Sequence, residues 1–429
     1  MKQVTMFVWN FYTNDARVKR ECTALSEAGY DVNLIALKKP KDKTVNNFQK
    51  INENFKVSRI LKQSFVLKFL NEYKSLSILT VIFINFLLLT LSFLKKIIAL
   101  LFIFLICLEI ILIIGKKIRT FLIKLSTIIR MTLQGYKKNT TIFHANDLNT
   151  LPQAIICAKF RFKKKKLVYD SHEVQTDRTG YNGKLVKPIE KFLLKFVDCM
   201  IVENETRAQY NLELYGFRPS VVHNYSEFYN IDNFSNANIH QILDIDSKEK
   251  ILLYQGGIQK GRGLDKLIEA MEFIKEGHLV FIGDGKEKNF LKKKAKNSKE
   301  KKRIHFIDKI SLDNLPTYTK EAFIGFQVLQ NVCFNHYSAS SNKLFEYIMG
   351  GIPVIACDFP EISKVVRKNE IGIVINSHDC KEIANAVNKL IDNNILYQTF
   401  KNNTIHTRKL YNWEKEKINL LNLYSNLLN

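Results

Sequence analysis

The chain has 429 residues, with 65 Lys and Arg against 41 Asp and Glu and a formal net charge of +24. That length exceeds one ordinary core and fits two domains of roughly 150 to 200 residues each, and a 46% hydrophobic, 25% charged composition excludes a disordered chain. The positive excess admits nucleic acid, anionic lipid or a phosphorylated substrate as partner, but the aromatic and basic interleaving of a nucleic-acid surface is missing. Seven cysteines without a CxxC pair argue for reduced thiols rather than a disulfide framework or a zinc site. With an N-terminus that runs straight into a strand-like segment, they imply a cytoplasmic location.

Gln3 to Trp9 is β-branched and apolar. Val18, Cys22 and Leu25 then recur at helical spacing until Gly29, and a second strand follows at Val32 to Leu37. Strand, helix, strand with short connections is the unit of a parallel sheet, because a parallel crossover needs a helix to return the chain. Further strands are predicted at Phe55 to Ile60, Thr141 to His144, Lys166 to Tyr169, Cys199 to Val202 and Ser220 to Val222, giving one doubly wound lobe. A second series runs Lys250 to Tyr254, His278 to Ile282, Arg303 to Phe306, Ala322 to Val328, Pro353 to Ala356 and Gly372 to Ile375. The expected division is a Rossmann-like lobe over 1–225, a second over 226–405, and a terminal helix over 406–429, with the boundary between Asn224 and Ser247 where Asn, Asp and Ser thicken.

An apolar insertion over 70–130 interrupts the first lobe. Leu76 to Phe93 carries no charge, and Ile97 to Ile114 carries only Glu109. Each is long enough for a helix to cross a bilayer core of ~30 Å. Two spans would leave Lys95 and Lys96 on the far side, against the positive-inside tendency, with no Gly or Pro for the turn. The preferred expectation is therefore helices lying in one leaflet, with Lys116, Lys117 and Arg119 meeting anionic headgroups.

Two segments of the second lobe carry the chemistry. In Leu252 to Met271 a strand ends, Gly256 and Gly257 follow, and Lys260 and Arg262 alternate with Gly before a helix starts near Leu264. Backbone without Cβ, helix amides and two cations suit a pyrophosphate. In Ser341 to Ile362, Asn342, Lys343 and Glu346 lie about one helical turn apart, and a carboxylate such as Glu346 can accept both vicinal hydroxyls of a ribose. In the first lobe, strands end at His144 and Asp147 and at Asp170, His172 and Glu173, the edge where open α/β sheets bind ligands. No HExxH, DxD, GxSxG or complete P-loop occurs, so no metal site is expected.

These segments together resemble glycosyltransferase family 4. Asn14 to Val32, HANDLNTLPQAIICAK, VYDSHE, YQGGIQKGRGLDKLIEA, FIGDG, SNKLFEYIMGGIPVIACD and the terminal YNWEKE follow that family's order and distances. The resemblance implies an α/β GT-B fold of two Rossmann-like lobes, a nucleotide-sugar donor on the second lobe and the acceptor on the first. It further implies retention of anomeric configuration and no cofactor or metal. Arg262 matches the basic phosphate ligand, Glu346 the ribose-binding glutamate and His172 the histidine near the transferred sugar, so these three are the expected catalytic residues. Gly256, Gly257, Lys260, Asn342 and Lys343 complete the expected donor site, and Asn14, Asp15, Asp147 and Glu173 form the expected acceptor side. Two departures stand out: Gly257 where the family often has Arg, and Ser338 where it has a first glutamate eight residues before Glu346.

The function this implies is transfer of a sugar from a nucleotide-sugar to a lipid-linked or polysaccharide acceptor at the cytoplasmic membrane face, with membrane lipid as a partner. The alternatives are a nucleotide-sugar epimerase on the same fold and a catalytically silent membrane-bound partner in glycan assembly.

Overall fold

The computed structural model describes residues 2–13, 15–39, 46–62, 83–84, 106, 116–178 and 183–428. Contacts divide the chain into two compact units, one of residues 1–170 and 192–199 and one of residues 171–191 and 200–429.

In the first unit the strands are β1 (Gln3–Phe7), β2 (Asp31–Lys38), β3 (Phe48–Lys50), β4 (Phe55–Leu61), β5 (Ile142–Asn146) and β6 (Lys166–Ser171), in the order β3-β4-β2-β1-β5-β6. All pairings are parallel except β3 with β4. The short, exposed β3 lacks the apolar alternation that would reveal it in the sequence. Val4, Met6, Phe7, Val32, Leu34 and Ile35 are fully buried, because a parallel sheet is covered on both faces by its crossover helices. Helix Ala16–Glu27 begins where Asp15 accepts a hydrogen bond from the Val18 amide and ends before Gly29 at φ +86°.

The expected apolar insertion lies outside the described residues apart from 83–84, 106 and its last part. From Lys116 that part is the start of helix Lys116–Tyr136, which packs on this sheet. Thr127 and Met131 are fully buried, and a Cβ on Gly135 would meet the Phe7 ring at 2.5 Å. Among the described residues no helix is long and apolar enough to cross a membrane. The six described cysteines are free thiols.

The second unit holds the parallel pair β7 (Cys199–Val202) and β8 (Ser220–Val221), and a six-stranded sheet. Its strands are β9 (Ile251–Gln255), β10 (His278–Ile282), β11 (Ile304–Ile307), β12 (Ile324–Gln327), β13 (Val354–Cys357) and β14 (Gly372–Ile375), in the order β11-β10-β9-β12-β13-β14 and parallel throughout. That order reverses between β9 and β12. The two strands feed crossovers in opposite directions and leave a crevice at their carboxyl ends, which is where such sheets bind ligands.

Tyr347, on helix Asn342–Gly350, locks this switch point. Its ring lies beneath Gly325 of β12, where a Cβ would approach it to 2.5 Å. Its hydroxyl accepts from the Gln255 amide at 3.1 Å and lies 3.2 Å from the Phe326 carbonyl oxygen, joining β9 to β12. Tyr347→Phe leaves the buried Gln255 N–H without its acceptor and is expected to lower stability by about 1–3 kcal/mol, read from the shift in urea midpoint.

Candidate active site

A cavity of about 560 Å³ opens at this switch point, and every residue that lines it belongs to the second unit. Its size suits a nucleotide-sized ligand. The floor comes from the tips of β9 and β10, where the Gly256 amide donates to Ile282 O at 2.9 Å and the Ile258 amide to Asp284 O at 2.9 Å. The two tips pass so closely that a Cβ on Gly283, at φ +151°, would stand 2.0 Å from Gly256 O. Gly256 itself has φ +122° and exposes its backbone to the cavity.

Two cations reach this floor. Arg262 projects from the turn before helix Leu264–Ala270, and its Nε is buried without an acceptor among the described residues. Lys343, in the first turn of helix Asn342–Gly350, is 7% exposed and runs alongside Gly256. Its Nζ lies 5.6 Å over the Tyr254 ring and forms no salt bridge among the described residues. Burial and the neighbouring Arg262 pull the Lys343 pKa down to about 7, against the pull of Glu346. Burial likewise pushes the Tyr254 hydroxyl up to about 12, with Arg262 opposing. Ser341 donates its hydroxyl to Gln327 Oε1 at 3.0 Å instead of capping the helix, so the first-turn amides stay uncapped at the cavity wall. Two cations and open amides around a glycine turn form a receptor for a polyanion, because an anion between Arg262 and Lys343 removes their mutual repulsion.

One turn after Lys343, Glu346 is held by a chain of hydrogen bonds. Gln255 Nε2 donates to Glu346 Oε2 at 2.8 Å, and Thr319 Oγ1 donates to Gln255 Oε1 at 2.8 Å. The carboxylate is thereby oriented at the cavity wall with Oε1 left for a ligand hydroxyl.

The cavity lining also holds residues that motif reading missed. Glu203 follows β7 directly and is nearly buried. Its Oε1 meets Arg207 at 3.0 Å and accepts from the Ser340 amide at 3.3 Å. Arg207 also donates to His172 O at 2.6 Å, Asn335 O at 3.3 Å and Ser338 Oγ at 3.2 Å. Ser338, where the resembling family has a glutamate, is therefore fully buried and occupied with Arg207 and with Phe334 O at 2.8 Å. The cavity keeps a carboxylate next to this segment, supplied by Glu203 instead. Its place at a parallel strand's carboxyl end was the available signal, but one Glu after a four-residue strand has no spacing to set it apart.

Of the residues expected from the sequence, His172, Glu173, Gly256, Gly257, Arg262, Asn342, Lys343 and Glu346 all line this one cavity. Glu173 sits at its rim, half-exposed and paired with Arg178 at 3.1 Å. Lys260 is exposed and is not among the lining residues. Asp15 and Asp147 belong to the first unit. Asp15 caps its helix and accepts from Asn10 at 2.7 Å, and Asp147, at φ +65°, donates its amide to Asp170 O at 2.8 Å. Asn14 lies outside the described residues.

The first unit also gathers Glu21, His144 and Asp170, whose ligand atoms lie within 4.8 Å of one another. Arg17 already supplies positive charge there, 3.1 Å from Glu21 and 2.7 Å from Asp170. Its charge offsets part of that of the two buried carboxylates.

Residues 235–407 match the family model of the glycosyl transferases, group 1. The matched segment contains the glycine turn, both cations and Glu346, and together with the fold it supports a glycosyltransferase. The chain is 24% identical over 275 residues to the chitobiosyldiphosphodolichol beta-mannosyltransferase of Candida albicans, across 56% of this chain and 57% of that protein, so it spans little more than half of that relative's length. It is also 24% identical over 294 residues to an uncharacterized 41.2 kDa protein in the cps region of Klebsiella pneumoniae, across 66% of this chain and 76% of that one. Among solved structures, sucrose-phosphate synthase from Thermosynechococcus elongatus superposes with a TM-score of 0.73 at 16% identity, covering 100% of this chain and 99% of that chain. Anabaena HepE in complex with UDP-glucose gives 0.69 at 12% identity, covering 99% and 100%. These likenesses establish the two-lobe, parallel-sheet α/β fold of the GT-B-like class.

Lys343 yields a pH test. An anion favours its charged form and raises its pKa, so binding takes up a proton once the free site has lost its charge. Affinity for a nucleoside diphosphate should hold steady below about pH 7 and fall up to about tenfold per unit above it. Lys343→Arg keeps its charge throughout, so the difference between the two calorimetric profiles cancels the ligand's own titration. Parallel profiles would remove Lys343 from the anion's ligands.

Proposed function

We propose that the protein is a retaining, metal-independent glycosyltransferase of family 4 that moves a sugar from a nucleoside-diphosphate sugar to a lipid-linked or polysaccharide acceptor at the cytoplasmic membrane face. The observation that carries this reading is one cavity in which Arg262 and Lys343 flank a glycine turn while Glu346 stands one helical turn away. A nucleoside-diphosphate sugar has a diphosphate for the cations and a ribose diol for Glu346. The name of the Candida relative, a transferase acting on a dolichol-linked diphosphate sugar, supports a lipid-linked acceptor.

In this reading the bond between the anomeric carbon and the diphosphate oxygen breaks as an acceptor hydroxyl approaches from the same face. The acceptor oxygen bonds to the anomeric carbon, and its proton passes to the departing diphosphate. Arg262, Lys343 and the uncapped amides neutralise the charge that builds on that diphosphate, a preorganised electrostatic effect that needs no metal. Glu203, an acceptor at the cavity lining whose charge Arg207 offsets, suits hydroxyl groups of the transferred sugar. His172, whose backbone is held by Arg207, lines the same cavity.

The test is sugar transfer or donor hydrolysis with UDP-, GDP- and ADP-sugars, with and without EDTA. One donor should turn over equally in both conditions. Arg262→Ala is expected to lower kcat by about 10²- to 10³-fold, and Glu346→Gln to weaken nucleotide binding by about 1.5–3 kcal/mol. Glu203→Gln should leave UDP affinity unchanged but abolish the extra affinity of the donor over UDP. NMR of the product's anomeric proton decides retention, and an inverted product would refute same-face attack. If no donor turns over, the transferase reading fails.

A further inference from the structure

Helix Lys116–Tyr136 shows a feature that the donor chemistry does not use. One face is buried on the first unit's sheet through Thr127, Met131 and Gly135. The outer face of such a helix ordinarily carries charged and polar residues. Here it carries Phe121, Leu125, Ile129, Leu133 and Tyr136, all exposed, with Phe121 at 62% and Leu133 at 57%. Steps of four, four, four and three keep these five side chains within an arc of about 120°.

The stripe continues past the helix end. Tyr136 donates its hydroxyl to Phe160 O at 3.2 Å, and Arg161 donates to Tyr136 O at 2.7 Å with its guanidinium 4.6 Å over the Tyr136 ring. Phe160 is exposed and Phe162 wholly so. A contiguous apolar patch of this kind marks an interaction surface rather than the usual scatter of exposed side chains.

Charge selects the occupant. Between Glu109 and Asp147 the sequence has no acidic residue and seven basic ones, Lys116, Lys117, Arg119, Lys124, Arg130, Lys137 and Lys138. Lys124 and Lys137 are exposed on the helix and just beyond it, and Lys163, Lys164 and Lys166 are exposed beside Phe162. Apolar side chains edged by cations match the interface of an anionic bilayer, where the rings enter the acyl boundary and the ammonium groups stay at the phosphates. A second copy is disfavoured, because two chains of net charge +24 repel each other.

We propose that the exposed face of helix Lys116–Tyr136, together with Phe160 to Lys166, seats the first unit on an anionic phospholipid surface. This inference stands apart from the donor reading, since no residue in it lines the cavity. It adds a described docking face to the membrane location proposed above.

The test uses the full chain carrying Leu133→Trp or Phe162→Trp, both at exposed positions, with the native protein as background. Phosphatidylglycerol-containing vesicles should shift the emission of each variant to the blue, and brominated acyl chains should quench it. Phosphatidylcholine vesicles should do neither, and added salt should weaken the effect. Vesicle binding with no change at either position would overturn the proposal by showing that another segment makes the contact. A blue shift that depends on protein concentration without lipid would overturn it in favour of self-association. Unchanged nucleotide affinity in both variants would separate failure here from failure of the donor reading.

Discussion

Lys343 is buried beside Arg262, and the second unit's site depends on this placement. A lysine stem in an apolar wall with no paired carboxylate costs free energy, which appears as a pKa drawn down to about 7. The structure tolerates it because Tyr254 turns a ring face to the ammonium and Glu346 stands one turn away. An anion arriving between Lys343 and Arg262 converts that cost into binding energy. The glycines follow from the same geometry: a side chain at Gly256 would press on Lys343, and one at Gly283 would push the β9 and β10 tips apart.

The rest of the cavity is organised to present groups rather than to fold them away. Gln255 connects strand β9 to Glu346 and Thr319, and Tyr347 connects the same strand to β12. The Glu346 carboxylate is therefore fixed by the strands that build the switch point. Arg207 gathers His172, Asn335, Ser338 and Glu203 through one guanidinium. Its planar fork suits that task better than a lysine would. The polar groups that line the cavity are thus held by hydrogen bonds that also join separate elements of the fold.

The two units differ in what they do with charge. In the second, cations meet at a cavity that admits a ligand. In the first, Arg17 pairs with Glu21 and Asp170 internally, while Lys and Arg crowd an outer face among exposed rings. Part of the high net charge of the chain is therefore gathered in two local features, one at a cavity and one on an exposed face.

Sequence periodicity alone determined the parallel α/β class and most strands, because a strand buried on both faces must be apolar throughout and its crossover helix must show a 3.6-residue period. Composition likewise located the glycine turn, Arg262, Lys343 and Glu346, since few residue types can approach or charge-balance a polyanion. The short exposed β3, the packing of helix Lys116–Tyr136 on the sheet and the exclusion of Lys260 from the cavity had no such signature. Ser338 looked like a lost carboxylate in the sequence, and only the packing of Arg207 showed Glu203 reaching the same segment from a distant strand. Local pattern encodes which residues are apolar or special in backbone angle. Which polar side chains from remote parts of the chain meet at one point depends on tertiary packing, and that decided the place of Glu203 and Arg207 at the cavity and the exposed face of helix Lys116–Tyr136.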